Sequence, residues 1–454
     1  MPYFRKKLLN ILFYLKSRRH ISKELAILQE NGNKTIEQNL IVQNEKLKNI
    51  LLHSWKYVPY YTKILEEANV VSNGKVILEN FQRIAILDKD KLKKNFDSLI
   101  SRDIDLSKRK PYLNTSGGST GEPVKFMQDQ TLKVLETASK WLFFTYITDY
   151  PCKHISLWGS ERDIIKGKIN LKQSLINFLQ QKIVLNSFRM TQKNMRNYVK
   201  KINSYKPLLI EAYVQSIYSL ARYIQTNRLT VHSPRGIITS AGTLYPKMKE
   251  LIEEVFHCPV LNRYGSREVG DIACSCKENQ GLHMNIINNY IEILDENLKP
   301  VGEGEIGQIY VTKLTNLTMP LIRYKIGDLG VPSNKKTCKC GKGFPLMEFV
   351  EGREMSAFKT KDGSIIPAEF FIHFIGVVFN KGIISKFQVI QNNFDQITIK
   401  YIIEKEMSLG KYKNQITKSI KKVMGENCKI LWEKVEDIPN LPSGKYMYTY
   451  SELR

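Results

Sequence analysis

The sequence predicts an α/β protein: a large N-terminal α/β domain with a helical N-terminal region and a β-rich part, then a small, mobile C-terminal α+β domain. Three observations lead there. At 454 residues the chain is longer than one hydrophobic core usually organises. Its 42% hydrophobic content suffices for packed interiors and disfavours wholesale disorder. From about residue 109 to 352, short β-branched segments alternate with helical ones, the pattern of α/β layers whose strand-end loops take ligands.

Residues 1–108 read as mainly helical. The first twenty form a basic amphipathic pattern, with Phe4, Leu8, Ile11, Leu12 and Leu15 on one helical face and Arg5, Lys6, Lys7, Lys16, Arg18 and Arg19 around it. Such a helix can rest on an anionic membrane surface or dock on its own domain. A Lys/Asp-rich surface stretch follows at Leu87–Lys94. Within 109–352, Pro207–Ala212 and Gly236–Ser240 read as strands, Val214–Thr226 as a helix, and Glu292–Lys313 as a β-meander turning at Gly302, Gly304 and Gly307. In 353–454 the character changes: Phe387–Ile390 and Gln396–Ile403 alternate like strands, Lys411–Val423 is an amphipathic helix, and a Lys/Tyr-rich loop ends the domain. There is no internal repeat.

The net charge of +25 suits an acidic partner, yet the lysines are scattered and no helix-turn-helix, finger or RNA-binding signature accompanies them. Nucleic acid is therefore not expected as a partner. No apolar run reaches the roughly 18 residues of a spanning helix, and no small-residue cleavage site follows the short apolar start. Seven cysteines, an odd number, fit a reduced compartment better than a disulfide framework. The expected location is cytoplasmic, with peripheral contact at the inner face of the membrane through the basic N-terminus.

The most informative stretch is Asn114-Thr115-Ser116-Gly117-Gly118-Ser119-Thr120-Gly121-Glu122-Pro123. Small residues let backbone N–H groups approach phosphate oxygens, and the Ser and Thr hydroxyls add donors, so Thr115 to Gly121 read as a cradle for the polyphosphate of ATP. A plain Gly/Ser turn between two strands has the same composition. Val124-Lys125-Phe126 reads as the returning strand and Gln130–Tyr146 as the following helix. Glu122 after Gly121 excludes the P-loop pattern, which requires lysine there.

Five further segments follow in order: Ser240-Ala241-Gly242-Thr243 at a strand end, Tyr264-Gly265-Ser266-Arg267-Glu268 after a short strand Val260–Arg263, Arg323-Tyr324-Lys325-Ile326-Gly327-Asp328, Gly352-Arg353, and Pro442-Ser443-Gly444-Lys445. From about residue 110 to 447 this order resembles the adenylate-forming superfamily of acyl-CoA synthetases and peptide-synthetase adenylation domains. Within it, the chain looks most like the phenylacetate-CoA ligase branch and its capsular-polysaccharide-biosynthesis relatives. The resemblance implies an AMP-forming ligase in which ATP and a carboxylic acid give an acyl-adenylate. Both reactants are anionic, so their charge must be neutralised before bonds form. By resemblance, Glu268 holds Mg2+, Tyr264 lies against adenine, and Gly265, Ser266, Ser240, Ala241 and Gly242 complete the nucleotide site. Asp328 accepts from the ribose hydroxyls, Arg353 contacts ribose or phosphate, and Lys445 reaches the carboxylate and α-phosphate from the small domain. Two departures stand out: Glu354-Met355-Ser356 after the Gly-Arg, where the branch usually has an acidic pair, and Glu122 where many members have lysine.

Cys276, His283, Cys338 and Cys340 form a Cys3His set able to bind zinc tetrahedrally, with Cys274 as a substitute ligand. The same Cys…Gly-Leu-His and Cys-x-Cys-Gly segments occur in similar members of the branch. Four protein ligands imply a closed, structural site; isolated thiols are the bland alternative. The acyl acceptor is coenzyme A by default, or an amine or hydroxyl of a sugar in surface polysaccharide. Tyr213, Gln215, Ser216 and Trp158–Ser160 are candidate pocket residues. Two further readings are a catalytically inactive membrane-surface scaffold and a polyanion-binding protein.

Overall fold

The computed structural model describes residues 2–116, 124–159, 171–188, 190–351, 358–366, 368–372, 374–375, 383–403, 409–438 and 447–453. The chain divides into two compact units, one of Met1–Thr115, Val124–Tyr146 and Arg263–Glu351, the other of Ser116–Pro123, Ile147–Asn262 and Gly352–Arg454. The architecture is the mixed α/β fold expected.

The first unit begins with helices Pro2–Ser17, Ile21–Gly32, Ile36–Tyr57 and Pro59–Glu67. Helix Ile36–Tyr57 starts with a capping box: Thr35 Oγ1 accepts from the Gln38 amide while the Gln38 side chain accepts from the Thr35 amide, so two otherwise orphaned donors are satisfied. The third and fourth of these pack on antiparallel strands in the order Asn289–Leu294, Gly307–Lys313, Tyr324–Pro332, Leu346–Glu351, Leu282–Met284, Gly270–Ser275. Leu47, Leu51, Leu65, Leu87, Ile272, Val311 and Leu321 lie in the shared core. The expected meander is present as the pair Asn289–Leu294 and Gly307–Lys313. Helix Gln130–Phe144 is capped by the fully buried Asp129, whose carboxylate accepts from the Leu132 amide at 2.7 Å and from Thr318 Oγ1 at 2.6 Å and pairs with Arg109 at 3.2 Å.

A buried ion pair sits beneath this sheet. Arg323, fully buried at φ 48°, reaches Glu292 at 3.0 Å and donates to the carbonyl of Ile84 at 2.8 Å. Burial pushes the Glu292 carboxyl up and Arg323 pulls it back. Removing one partner leaves an uncompensated charge, so Arg323→Met is expected to cost about 3–5 kcal/mol in urea unfolding. The double change Arg323→Met/Glu292→Leu should recover most of that loss.

The second unit carries parallel strands in the order Lys182–Asn186, His154–Trp158, Leu209–Tyr213, Gly236–Ser240 and the start of Val260–Ser266. Leu209–Tyr213 is buried throughout, as a central parallel strand must be when helices cover both faces. Helices Gln192–Tyr205, Val214–Thr226 and Pro246–Phe256 contribute Val199, Ile217 and Phe256 to one core. The same unit contains a four-stranded sheet ordered Lys429–Lys434, Gln396–Ile403, Ile384–Asn393, Thr449–Ser451, with helix Leu409–Met424 burying Tyr412, Ile416, Ile420 and Val423. In place of the expected terminal loop, Thr449–Ser451 pairs in parallel with Val389–Gln391. Three residues are too few for an alternation to register in a sequence. Among the described residues no helix is long and apolar enough to cross a membrane.

Candidate functional site

In the first unit the segment Tyr264–Glu268 is not a loop following a strand: strand Val260–Ser266 runs through Tyr264, Gly265 and Ser266 and pairs with Gly270–Ser275. Ser266 faces Gly270, so only Arg267, Glu268 and Val269 make the turn. Two glycines permit it. A Cβ on Gly265 would lie 2.5 Å from the Gly270 carbonyl, and Gly270 takes φ 72°. Val269, fully buried, anchors the tip, which leaves Glu268 held at the turn and 5% exposed.

The second acid arrives on strand Tyr324–Pro332, where Gly327 at φ 91° breaks the regular pleat just before Asp328. The two motifs then exchange tyrosines. Tyr264 Oη donates to Asp328 Oδ2 at 3.0 Å, and Tyr324 Oη donates to Glu268 Oε1 at 3.4 Å. Each carboxylate is therefore aimed by a phenol from the other motif, and each keeps acceptor capacity for a ligand.

The hairpin that carries the expected cradle is tied to the same turn. Tyr112–Thr115 pairs with Lys125–Gln128, Thr115 facing Lys125. Asn114 Oδ1 accepts from Arg267 at 3.1 Å, Asn114 Nδ2 donates to Gln128 Oε1 at 2.8 Å, and Gln128 Nε2 donates to the Arg267 carbonyl at 3.1 Å. Thr115 thus emerges from a clamp fixed to the residue before Glu268. Gly117, Gly118, Ser119, Thr120 and Gly121 lie outside the described residues, as do Glu122, Arg353, Glu354-Met355-Ser356 and Lys445.

In the second unit Ser240 closes a parallel strand and Ala241 turns the chain at φ 56°. Gly242 abuts the start of helix Val214–Thr226, where a Cβ would stand 3.3 Å from Val214 Cβ. Ser116, 1% exposed, also belongs to this unit. The strand order reverses at His154–Trp158, which is followed by Lys182–Asn186 on one side and Leu209–Tyr213 on the other; this is the position where α/β sheets open a crevice at their strand ends. Trp158 and Tyr213 occupy it with ring centroids 4.0 Å apart. Beside them the Ser216 and Thr243 hydroxyls are buried without a hydrogen-bond partner, polar groups left over for a ligand.

The Cys3His set converges in the first unit. One ligand atom from each of Cys276, His283, Cys338 and Cys340 lies within 4.8 Å of the others. Cys276 Sγ is 3.5 Å from Cys338 Sγ, and Cys340 Sγ is 3.3 Å from His283 Nε2. His283 Nδ1 stands 3.3 Å from the Phe344 carbonyl, which fixes the proton there and leaves the Nε2 lone pair facing the thiols. Burial pushes Cys276 up to about 12 and His283 down to about 4, so the imidazole is neutral. Cys274 pairs in register with His283 but is outside the cluster. Gly341 at φ 74° turns the chain so that its amide donates back to the Cys338 carbonyl at 3.0 Å. Asn39 on the third helix donates to the Gly343 carbonyl at 2.6 Å, tying this turn to the helical region. Four soft and borderline donors in a closed group fit Zn2+.

Comparison with known proteins finds similarity along most of the chain. Residues 358–452 match the family model described as CapK C-terminal domain. The chain is 25% identical to Protein CapK of Staphylococcus aureus over 449 residues, covering 97% of this chain and 95% of that protein. It is 23% identical to the phenylacetate-coenzyme A ligase of Thermus thermophilus over 431 residues, 89% of this chain and 94% of that one. Among solved structures, 2-hydroxyisobutyryl-CoA ligase in its postadenylation state with R3-HIB-AMP superposes with a TM-score of 0.58 at 15% identity, covering 94% of this chain and 92% of that one. The same enzyme with 2-HIB-AMP and CoA in the thioesterification state also gives 0.58, at 16% identity over 93% and 91%.

The chain is similar to Protein CapK along nearly its whole length and has the fold of 2-hydroxyisobutyryl-CoA ligase.

Three features of the candidate site escaped the sequence. Tyr324, read only as part of a motif, holds Glu268. Gln128 and Asn114 form the clamp that ties the Tyr112–Thr115 hairpin to Arg267, and nothing in their spacing announces it. Glu211, fully buried on the central parallel strand, accepts from Ser156 Oγ at 3.2 Å below the Trp158–Tyr213 pair. An acid inside an apolar strand run was the available signal. In the matched C-terminal region Lys386 Nζ donates to the Ile438 carbonyl at 2.5 Å, and Gln388 Nε2 donates to the Met447 carbonyl at 2.9 Å.

Proposed function

We propose that this protein is an AMP-forming ligase that activates a carboxylic acid with ATP and passes the acyl group to coenzyme A. The observation that supports it most is the reciprocal exchange of tyrosines, Tyr264 to Asp328 and Tyr324 to Glu268, beside the clamped hairpin of Thr115. In this reading one acid serves a metal and the other a ribose. Glu268 would hold Mg2+ together with phosphate oxygens, a one-carboxylate arrangement usual for that ion, and the ion when bound would offset phosphate charge. Asp328, oriented by Tyr264, accepts from the ribose hydroxyls. Thr115 to Gly121 would wrap the phosphates, with Ser240, Ala241, Gly242, Gly265 and Ser266 completing the nucleotide's surroundings. The Cys3His set would hold a structural Zn2+.

The chemistry balances as two displacements. A carboxylate oxygen attacks the α-phosphorus and pyrophosphate leaves; the thiol sulfur then attacks the acyl carbon and AMP leaves. Lys445, carried by the region 353–454 acting as a mobile small domain with Arg353 at its junction, stabilises the charge gathering between carboxylate and α-phosphate in the first step. Coenzyme A is the acceptor favoured because the phenylacetate-coenzyme A ligase and the 2-hydroxyisobutyryl-CoA ligase both act with it.

Acid-dependent exchange of labelled pyrophosphate into ATP tests the first step, screened over aromatic, fatty, amino and uronic acids. Lys445→Ala is expected to lower the exchange rate about 10²–10³-fold with an unchanged melting temperature. No exchange with any acid of the panel from a folded, metal-replete sample refutes the reading. Thioester formation with coenzyme A, or release of the adenylate only to a sugar amine or hydroxyl, decides the acceptor.

A further inference from the structure

The first helix, Pro2–Ser17, uses both of its sides. Leu9 and Phe13 face inward, Leu9 at 1% exposure and Phe13 edge-on to the Trp141 ring of helix Gln130–Phe144 at 6.2 Å. Asn10 accepts from the Ser22 amide at 3.0 Å and locks the helix to the next one. The opposite side is apolar too. Phe4, Ile11 and Leu15 are 69%, 44% and 61% exposed, and they recur at the spacing that places them on one helical face with the half-buried Leu8 between them. Docking on the domain and presenting an apolar face are therefore not alternatives here, because different residues do each.

Charge says what covers that face. The helix contains Arg5, Lys6, Lys7 and Lys16 and no acidic residue, and Arg18 and Arg19 follow it directly. Lys7 is exposed beside the apolar stripe, and Lys6 is exposed on the other side of the helix; Arg18 lies over the Tyr14 ring at 5.9 Å, and Arg19 pairs with Glu24 of the next helix at 2.9 Å. An apolar strip with a lysine at its rim is the arrangement of a helix lying in the plane of a bilayer interface, the Lys stem running along the acyl boundary and its head at anionic lipid. A protein partner would need a complementary acidic apolar groove, and a second copy would bring like charges together on a chain already at +25.

We infer that the face of Phe4, Leu8, Ile11 and Leu15 is a membrane-docking surface that seats this protein on anionic phospholipid. The inference is independent of the ligase reading, since it needs neither nucleotide nor acyl substrate.

The test is co-sedimentation of the full chain with phosphatidylcholine vesicles containing about one-third phosphatidylglycerol, against pure phosphatidylcholine vesicles. Binding is expected to the anionic vesicles only and to weaken with salt. Phe4→Ser/Ile11→Ser/Leu15→Ser changes three exposed side chains, so the melting temperature should hold while partitioning falls about tenfold or more. Lys6→Glu/Lys7→Glu should weaken binding as well, through charge alone. Absence of sedimentation with anionic vesicles overturns the inference. Full retention of binding by the triple serine variant also overturns it, because the scattered basic surface would then suffice. A concentration-dependent dimer that the triple variant abolishes, without vesicle binding, reassigns the face to a second copy of the chain.

Discussion

With glutamine in place of Glu268, pyrophosphate exchange is expected to fall about 10²–10³-fold while the protein melts as before. The change is nearly isosteric, and the amide oxygen still accepts from Tyr324 Oη, which stands 3.4 Å from Glu268 Oε1. The turn itself depends on Gly265, Gly270 and buried Val269 rather than on the acid. What disappears is the negative charge. A neutral amide oxygen is a poor substitute for a carboxylate on Mg2+, so phosphate charge at the reacting centre goes unopposed. The defect should be partly relieved by raising Mg2+, a response that a purely structural role would not give. Exchange at the parental rate would remove Glu268 from the chemistry, and a collapse of the melting temperature would mark it as a folding residue.

The same turn shows what a sequence can and cannot carry. Tyr264, Glu268 and Asp328 were singled out because their segments resemble the ordered motifs of the adenylate-forming superfamily, and the glycines in those segments mark where the backbone must turn or approach closely. Their partnership was not. Tyr264 and Asp328 are 64 positions apart, and they meet because strand Val260–Ser266 and strand Tyr324–Pro332 enter one antiparallel system with three strands between them. The parallel strands at Leu209–Tyr213 and Gly236–Ser240 were visible as apolar runs, and helix Val214–Thr226 as a 3.6-residue period. Strand Thr449–Ser451 and the start of strand Ile384–Asn393 were not, because edge pairing of a few residues leaves no periodic trace. The Cys3His set was the reverse case. Its residue types are rare enough to be grouped by eye, and the chain brings the four atoms within 4.8 Å.

That convergence makes metal removal the largest expected effect on stability. A zinc-selective chelator, or Cys338→Ser/Cys340→Ser, is expected to cost more than about 4 kcal/mol of unfolding free energy, the range that separates metal loss from ordinary substitutions. The reason is where the ligands sit. His283 lies on a three-residue strand between Gly270–Ser275 and Leu346–Glu351, so the centre staples the segment after Glu268 to the strands that follow Asp328. Asn39 holds the adjoining turn to the helical region, so loosening it releases both layers of the first unit. Without the ion, the Cys276 and Cys340 thiols, pushed up by desolvation, remain protonated and contribute nothing to hold the turn of Gly341 closed. Destabilisation should precede loss of activity: at a temperature well below the lowered melting point, and with Mg2+ supplied, the chelated protein should still exchange pyrophosphate. One zinc per chain by mass spectrometry under native conditions is the expected stoichiometry. A metal-free preparation with the parental melting temperature would show the four side chains to be ordinary core thiols and an ordinary histidine, whereas simultaneous loss of activity and no loss of stability would place the ion in the reaction instead of the scaffold.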